Sequence, residues 1–199
     1  MLESYWVNKK YNRVKSIKLF FRNCFDFKTN YISYLLIILF LGLYFIYPFI
    51  VGKITVETPL YIAILMIPLM IFGGGMEEPG WRGLLESELE KKFPFPLAAI
   101  ITSGFWSIWH FPLFFIEGSS QANVNFIAFS VLLIGMSFAQ AVLYNYSKKV
   151  SLSILLHCAF NALQISLVFK ETIITRIYVA TIMIISSLLI HTLLKKKYL

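Results

Sequence analysis

The sequence predicts an all-α, polytopic membrane protein: a bundle of about six transmembrane helices with both termini cytoplasmic. Hydrophobic residues make up 58% of its 199 residues and charged residues only 14%, whereas a soluble domain is roughly 45–50% apolar and about 25% charged. Long apolar runs recur along the chain, and the basic residues concentrate between alternate runs. This composition excludes a disordered chain, a conventional cytosolic enzyme and a nucleic-acid-binding globule, so we expect no nucleic acid among its partners.

Six apolar runs are candidate spans, because a helix needs about 20 apolar residues to cross a bilayer. They cover residues 31–51, 59–76, 96–116, 124–146, 151–169 and 173–194. With the N-terminus inside, 15 of the 18 Lys and Arg residues fall in cytoplasmic segments, and Lys53, Lys170 and Arg176 fall on the other side. Such a bias predicts cytoplasmic termini. Usage rich in Ile, Phe, Lys and Asn favours a bacterial cell membrane as the location.

The first 30 residues differ from the rest, and we call residues 1–30 the head. Seven basic residues alternate there with aromatic ones. We expect a cytoplasmic stretch on the inner leaflet, where basic side chains meet anionic lipid; the alternative is a floppy basic tail that only sets topology. Residues 31–199 form the transmembrane bundle. Cys24 lies in the head and Cys158 in an apolar run, so no disulfide is expected.

A glycine run leads into two adjacent carboxylates at the end of the second span, Glu77 and Glu78. Ionisable groups at membrane depth are costly and mark functional sites. Glu78 and Arg82 lie four residues apart and can pair on one helix face. Glu77 points about 100° round the axis and is left for chemistry. The alternative for this segment alone is a capped amphipathic helix on the inner surface.

Two later spans carry polar residues in their interiors. His110 lies in the third span among aromatic residues, and His157 and Asn161 share one face of the fifth because they are i and i+4. Taken alone, His110 fits a packing residue, and the other two fit a polar pair that holds two helices together. Combined with Glu77, they supply a general base, a water-aligning histidine and two donors for an oxyanion. These are the parts of a peptide-bond hydrolase.

The polar motifs occur in the order known from one family. Glu77-Glu78-x-x-x-Arg82, an aromatic residue before His110 and His157-x-x-x-Asn161 resemble the CPBP family of intramembrane proteases. That family includes type II CAAX prenyl endopeptidases and bacteriocin-processing or self-immunity (Abi) proteins. The resemblance covers about residues 60–170. It implies a peptide or protein substrate at the membrane, beside the lipid bilayer.

The resemblance also implies roles for the carboxylates. Glu77 would activate the attacking water, and Glu78 and Arg82 would form a supporting pair. Trp106 stands where the family often has Phe, and since both are large aromatic residues the pocket wall would be kept.

For the histidines, the resemblance implies that His110 aligns the water or ligates a metal. His157 and Asn161 would stabilise the oxyanion. The family is usually labelled metalloprotease, so a divalent metal such as zinc, if one is used, would be held by Glu77, His110 and His157. These three residues are a weak match to a zinc site, because the sequence has no His-Glu-x-x-His motif, which supplies two histidine ligands from one helix.

The spacing raises a geometric difficulty for this interpretation. If the second span ends at Met76, Glu77 lies at the inner surface. His110 lies 15 residues beyond Phe95, about 22 Å up its helix. We therefore expect a longer, kinked second helix that continues to about Lys92 and places Glu77 below the surface, facing a wet cavity.

Two non-proteolytic interpretations stay open beside the leading one, an intramembrane endopeptidase. The first is a non-catalytic membrane immunity or scaffold protein that binds a peptide or protein partner. The second is a small transporter with a proton-coupled Glu/His relay, which the lack of a visible internal repeat disfavours.

Overall fold

The computed structural model is a polytopic helical bundle, as the sequence predicts. It describes residues 1–52, 54–169 and 172–197, without the side chains of residues 195–197; Lys53 and Lys170 lie outside the described residues. Within these ranges four helices are long and apolar enough to span a membrane: Tyr31–Ile50, Phe95–Phe115, Phe126–Ser147 and Ile173–Leu194. A shorter apolar helix covers Val150–Ser166. The count of six spans and the orientation of the termini stay predictions.

The head forms two short helices, α1 (Leu2–Lys10) and α2 (Ile17–Cys24). The side chain of Ser16 caps α2 by accepting a hydrogen bond from the backbone N–H of Leu19. Both helices face the bundle with apolar side chains. The resulting cluster joins buried head residues to the side of α9 (Val150–Ser166) and contains Tyr5, Val14, Phe20, Cys24, Ile154 and Cys158.

A short antiparallel strand pair joins the ends of two helices. Helix α3 (Tyr31–Ile50) is followed by β1 (Ile54–Val56), which pairs with β2 (Leu167–Phe169) after α9. The fold class is therefore helical apart from this pair: β1 lies between the first two predicted spans, and β2 occupies the end of the fifth predicted span, residues 151–169. The backbone of Leu167 leaves helical geometry at φ −107° and ψ 93°, and the residues of both strands are mostly β-branched or aromatic, which suits extended structure.

The second predicted span is broken into pieces. Helix α4 (Leu60–Met66) gives way to single 3₁₀ turns at Leu69–Ile71 and Gly75–Glu77. The chain then continues through α5 (Glu78–Gly80), a π-helical stretch (Trp81–Glu86) and α6 (Ser87–Leu89). We call residues 75–89 the motif segment. The break coincides with Pro68, which lacks a backbone donor, and with Gly74, whose φ of +143° suits glycine.

The remaining helices build the core. Helix α7 (Phe95–His110) passes into a 3₁₀ turn that contains Pro112, and α8 (Phe126–Ser147) packs between α7 and α10 (Ile173–Lys197). Helices α8 and α10 approach closely at Gly135, where a Cβ would lie 2.7 Å from the Ala180 Cα. The core draws buried side chains from five helices, including Phe40, Trp106, Val142, Phe160 and Met183.

Candidate active site

Three parts of the chain meet at one cavity: the motif segment, the C-terminal end of α7 and the middle of α9. The cavity has a volume of about 440 Å³. Its lining includes Glu77, Trp106, His110, His157 and Asn161. All residues that the sequence singled out for the site therefore lie at this cavity or directly behind it, although their roles stay predictions.

The two carboxylate oxygens of Glu77 have different partners. Its Oε2 accepts hydrogen bonds from the indole N–H of Trp81 at 3.1 Å and from that of Trp106 at 2.8 Å. Its Oε1 lies 3.9 Å from Nε2 of His110. The side chain of Glu77 is 25% exposed. One oxygen is thus held by the protein while the other faces the histidine.

His110 is oriented by its own helix. Its Nδ1–H donates to the backbone carbonyl of Trp106, four residues earlier, at 2.9 Å. In the neutral ring Nε2 is then the unprotonated nitrogen, and it points towards Glu77. The two residues meet because helical turns resume after Gly74, which brings Glu77 beside the last residue of α7. The helical path ends near Leu89, close to the expected limit at Lys92.

Glu78 points away from the cavity into a fully buried charge cluster. Arg82 Nε lies 3.4 Å from Glu78 Oε2, and the Nη1 of Arg82 lies 3.8 Å from Glu86 Oε2. The guanidinium also stacks over the ring of Trp106, 4.9 Å from its centroid. A cation shared by two carboxylates offsets part of the cost of burying all three charges.

His157 and Asn161 face the break in the second span. The Nδ1–H of His157 donates to Glu78 Oε1 at 2.7 Å, and an Nδ2–H of Asn161 donates to the carbonyl of Gly73 at 2.8 Å. A Cβ at Gly74 would lie 2.5 Å from His157 Nε2 and 2.9 Å from Asn161 Nδ2. The glycine run therefore lets the backbone lie directly against both side chains.

The donor set does not match a catalytic zinc site. In the part of the chain that the structure describes, no three His, Cys, Asp or Glu side chains come together as a metal-binding group, whereas catalytic zinc takes three protein ligands. Glu77 Oε2 is held by two indoles, and Glu77 Oε1 and His110 Nε2 form a two-donor corner 3.9 Å apart. The bond from His157 Nδ1–H to Glu78 leaves Nε2 of His157 as a candidate donor, but this nitrogen does not join the corner as a three-ligand group among the described residues.

Sequence reasoning missed three contributors to the site. Glu86 lies one helical turn after Arg82, and that i, i+4 spacing was a readable signal. Trp81 also stands four residues after Glu77, yet spacing does not reveal where an indole N–H points. Trp106 was treated as a wall of the pocket, whereas it also donates a hydrogen bond.

Comparison with known proteins identifies the family of this chain. Residues 59–163 match the family model described as type II CAAX prenyl endopeptidase Rce1-like. An alignment over 102 positions, which covers 47% of this chain, shows 32% identity to CAAX prenyl protease 2 of Methanococcus maripaludis. That match spans only 37% of the relative's length. The resemblance found in the motifs is thus confirmed: the chain belongs to the Rce1-like family of type II CAAX prenyl endopeptidases, within the CPBP proteases.

Proposed function

We propose that this protein is an intramembrane endopeptidase in which Glu77 activates a water molecule for attack on a peptide bond. The observation that carries the proposal is the pairing of Glu77 Oε1 with His110 Nε2 at 3.9 Å, at a cavity whose lining also holds His157 and Asn161. A base and two oxyanion donors around one space form the arrangement that peptide hydrolysis requires.

The attacking water lies between Glu77 and His110. Both Oε1 and the unprotonated Nε2 are acceptors, so one water can donate a hydrogen bond to each, and their separation is too long for a direct hydrogen bond. With both O–H bonds engaged, a lone pair of the water oxygen is directed at the substrate carbonyl. Glu77 takes one proton as the water oxygen bonds to the carbonyl carbon.

The oxyanion is stabilised from α9. Asn161 uses one amide N–H on Gly73 and retains a second for the oxyanion. His157 donates through Nε2 in the form of the ring that carries both protons, in which its Nδ1–H is bonded to the Glu78 carboxylate. Removing one such donor in other hydrolases lowers kcat by about 100- to 1000-fold.

Collapse of the intermediate completes the proton balance. The carbon–nitrogen bond breaks as the proton held by Glu77 passes to the leaving nitrogen, which departs as an amine. The other product forms as a carboxylic acid that keeps the second proton of the attacking water and then releases it to solvent as a carboxylate, while Glu77 returns to its ionised form. These reaction steps use only side chains of this chain and the attacking water. Because the described residues form no three-ligand group, no step is assigned to a metal.

We propose the predicted topology together with this activity. Six crossings with cytoplasmic termini would use the broken second span and the 17-residue α9 in addition to the four long helices. The substrate would be a peptide or protein segment at the membrane. The relative named CAAX prenyl protease 2 supports a segment near a protein's C-terminus as the first candidate.

Cleavage of a fluorogenic peptide library by detergent-purified protein tests the proposal. Wild type is compared with Glu77→Gln, each with and without a chelator. We expect turnover by the wild type, loss of turnover in the variant at an unchanged level of folded protein, and no effect of the chelator. Equal turnover by both proteins would refute Glu77 as the base. If cells that carry Glu77→Gln show the same phenotype as cells that carry the wild-type protein, the binding or scaffold interpretation would be favoured instead.

A further inference from the structure

Two indole N–H groups meet on one oxygen of Glu77. Trp81 approaches from the same helical segment, and Trp106 approaches from α7. An indole N–H is a donor only, so neither ring can take a proton from the water or compete with Glu77 as a base. Their common target is Oε2, whereas the histidine faces Oε1.

This arrangement removes a freedom that a carboxylate otherwise has. The terminal torsion of a glutamate is broad and roughly two-fold, so an unrestrained carboxylate presents either oxygen in many orientations. Donors on two sides of Oε2 fix that torsion. A reacting group that is displaced by about 1 Å can lose about 100-fold in rate, so the orientation of the base matters.

The two indoles are themselves held in place. Trp106 is 1% exposed, with the Arg82 guanidinium over its ring and the His157 ring edge-on at 5.3 Å. Trp81 packs against Trp106 at 6.5 Å and meets Trp109 edge-on at 6.4 Å. Because these contacts come from the motif segment, α7 and α9, the donors are positioned before any substrate binds.

We infer that Trp81 and Trp106 are positioning residues that clamp Oε2 of Glu77 and thereby direct Oε1 to the attacking water. This inference rests on the proposed function for its kinetic consequence, but the clamp itself is a structural feature that can be measured without turnover. Neither indole needs to touch the substrate. A role for Trp106 as a mere pocket wall would be met equally well by phenylalanine, which keeps the ring and lacks the donor.

Indole NMR tests the clamp directly. The chain has four tryptophans, so protein labelled with ¹⁵N at the indole nitrogen gives four cross peaks, which Trp→Phe variants assign. We expect the Trp81 and Trp106 protons to resonate downfield of Trp6 and to move upfield in Glu77→Gln, because a neutral amide is a weaker acceptor than a carboxylate. Trp6, 62% exposed in the head, serves as the reference. Unmoved Trp81 and Trp106 peaks would overturn the clamp.

Kinetics of Trp81→Phe and Trp106→Phe test its consequence. Each variant should lower kcat by about tenfold to 100-fold and leave KM within the error of the wild type, since binding of the substrate does not involve the indole N–H. Trp6→Phe is the matched control, because Trp6 lies in the head and is 62% exposed, and it should keep the wild-type kcat.

The outcomes separate this inference from the proposed function. Full turnover by Glu77→Gln would remove the proposed function, whatever the NMR spectra show. Loss of turnover in Glu77→Gln together with wild-type kcat in both Trp→Phe variants would leave the protease intact and overturn the clamp.

Discussion

Glu77 and Glu78 are neighbours in the chain but belong to two different regions of the molecule. The cavity side consists of Glu77 with its two indoles and His110, and its carboxylate is 25% exposed. The buried side consists of Glu78, Arg82, Glu86 and the Nδ1 edge of His157, and the Glu78 and Arg82 side chains are 0% exposed. The difference arises because successive helical residues point about 100° apart.

The contrast shows how one short segment provides both a reactive and a structural carboxylate. On the cavity side both indole N–H groups bond Oε2 of Glu77, so Oε1 stays available to the attacking water. On the buried side Arg82 pairs with one oxygen of Glu78 and His157 bonds the other, so neither oxygen is available to a water in the cavity. Trp106 links the two, since its ring lies under Arg82 while its N–H reaches Glu77.

Replacing Arg82, the cation shared by two buried carboxylates, should strongly lower the stability of the protein. Arg82→Met leaves Glu78 and Glu86 buried without their guanidinium, and removing one partner of a buried ion pair costs about 3–5 kcal/mol. We expect a large drop in the thermal unfolding temperature in detergent. Lys92→Met, which removes an exposed cation nearby, is the control and should change stability by less than about 0.5 kcal/mol. Equal unfolding temperatures for both variants would contradict the buried cluster.

Removing an amide on the cavity side should affect rate far more than stability. Asn161→Ala deletes a proposed oxyanion donor and should lower kcat by about 100- to 1000-fold. The lost bond to the Gly73 carbonyl costs about 1 kcal/mol. Asn145→Ala, which loses a comparable bond to Glu90, should keep its kcat in the same peptide assay. A normal kcat for Asn161→Ala would remove Asn161 from the oxyanion site.

A methyl group at Gly74 should disturb both regions at once. The φ of +143° and the closeness of His157 Nε2 and Asn161 Nδ2 leave no room for a Cβ. We expect Gly74→Ala to lose about 1–3 kcal/mol of stability together with most of its turnover. Gly80→Ala is the matched control, since a Cβ there meets nothing within 4 Å, and calorimetry and turnover should both stay near the wild type. Similar behaviour of the two variants would refute the close approach.

The smallest effect is expected where the head meets the motif segment. Arg13 pairs with Glu88 at 2.8 Å on the surface, and such exposed pairs contribute less than about 1 kcal/mol. Arg13→Gln should therefore raise maleimide labelling of Cys24 only slightly. Burial raises the pKa of Cys24 to about 11, so the docked thiol reacts slowly at neutral pH. Rapid labelling of the wild type, located by mass spectrometry, would contradict docking of the head.

Much of the site was readable from the sequence because its chemistry follows helical spacing. The Glu78–Arg82 pair and the shared face of His157 and Asn161 are i, i+4 relations, and the structure shows both. The sequence also predicted a kinked second helix that continues to about Lys92, and the structure shows a helical path that reaches Leu89 but is interrupted at Pro68 and Gly74.

The other features of the fold and the site depend on contacts between segments that are far apart in the chain. Pairing of β1 with β2 joins residues more than 100 positions apart, and no local pattern specifies it. Packing of the head on α9 and the direction of the Trp106 N–H are likewise tertiary. Spacing shows which side chains share a face, but it does not show their partners on other helices.

The most direct test of the division between the two carboxylates is a paired measurement of turnover and unfolding temperature for Glu77→Gln and Glu78→Gln. Glu77→Gln should abolish cleavage while its unfolding temperature stays near that of the wild type, because the amide oxygen of glutamine can still accept hydrogen bonds from both indoles. Glu78→Gln should lower the unfolding temperature sharply, because Arg82 loses a buried partner. Retained cleavage in Glu77→Gln, or wild-type stability in Glu78→Gln, would contradict the account.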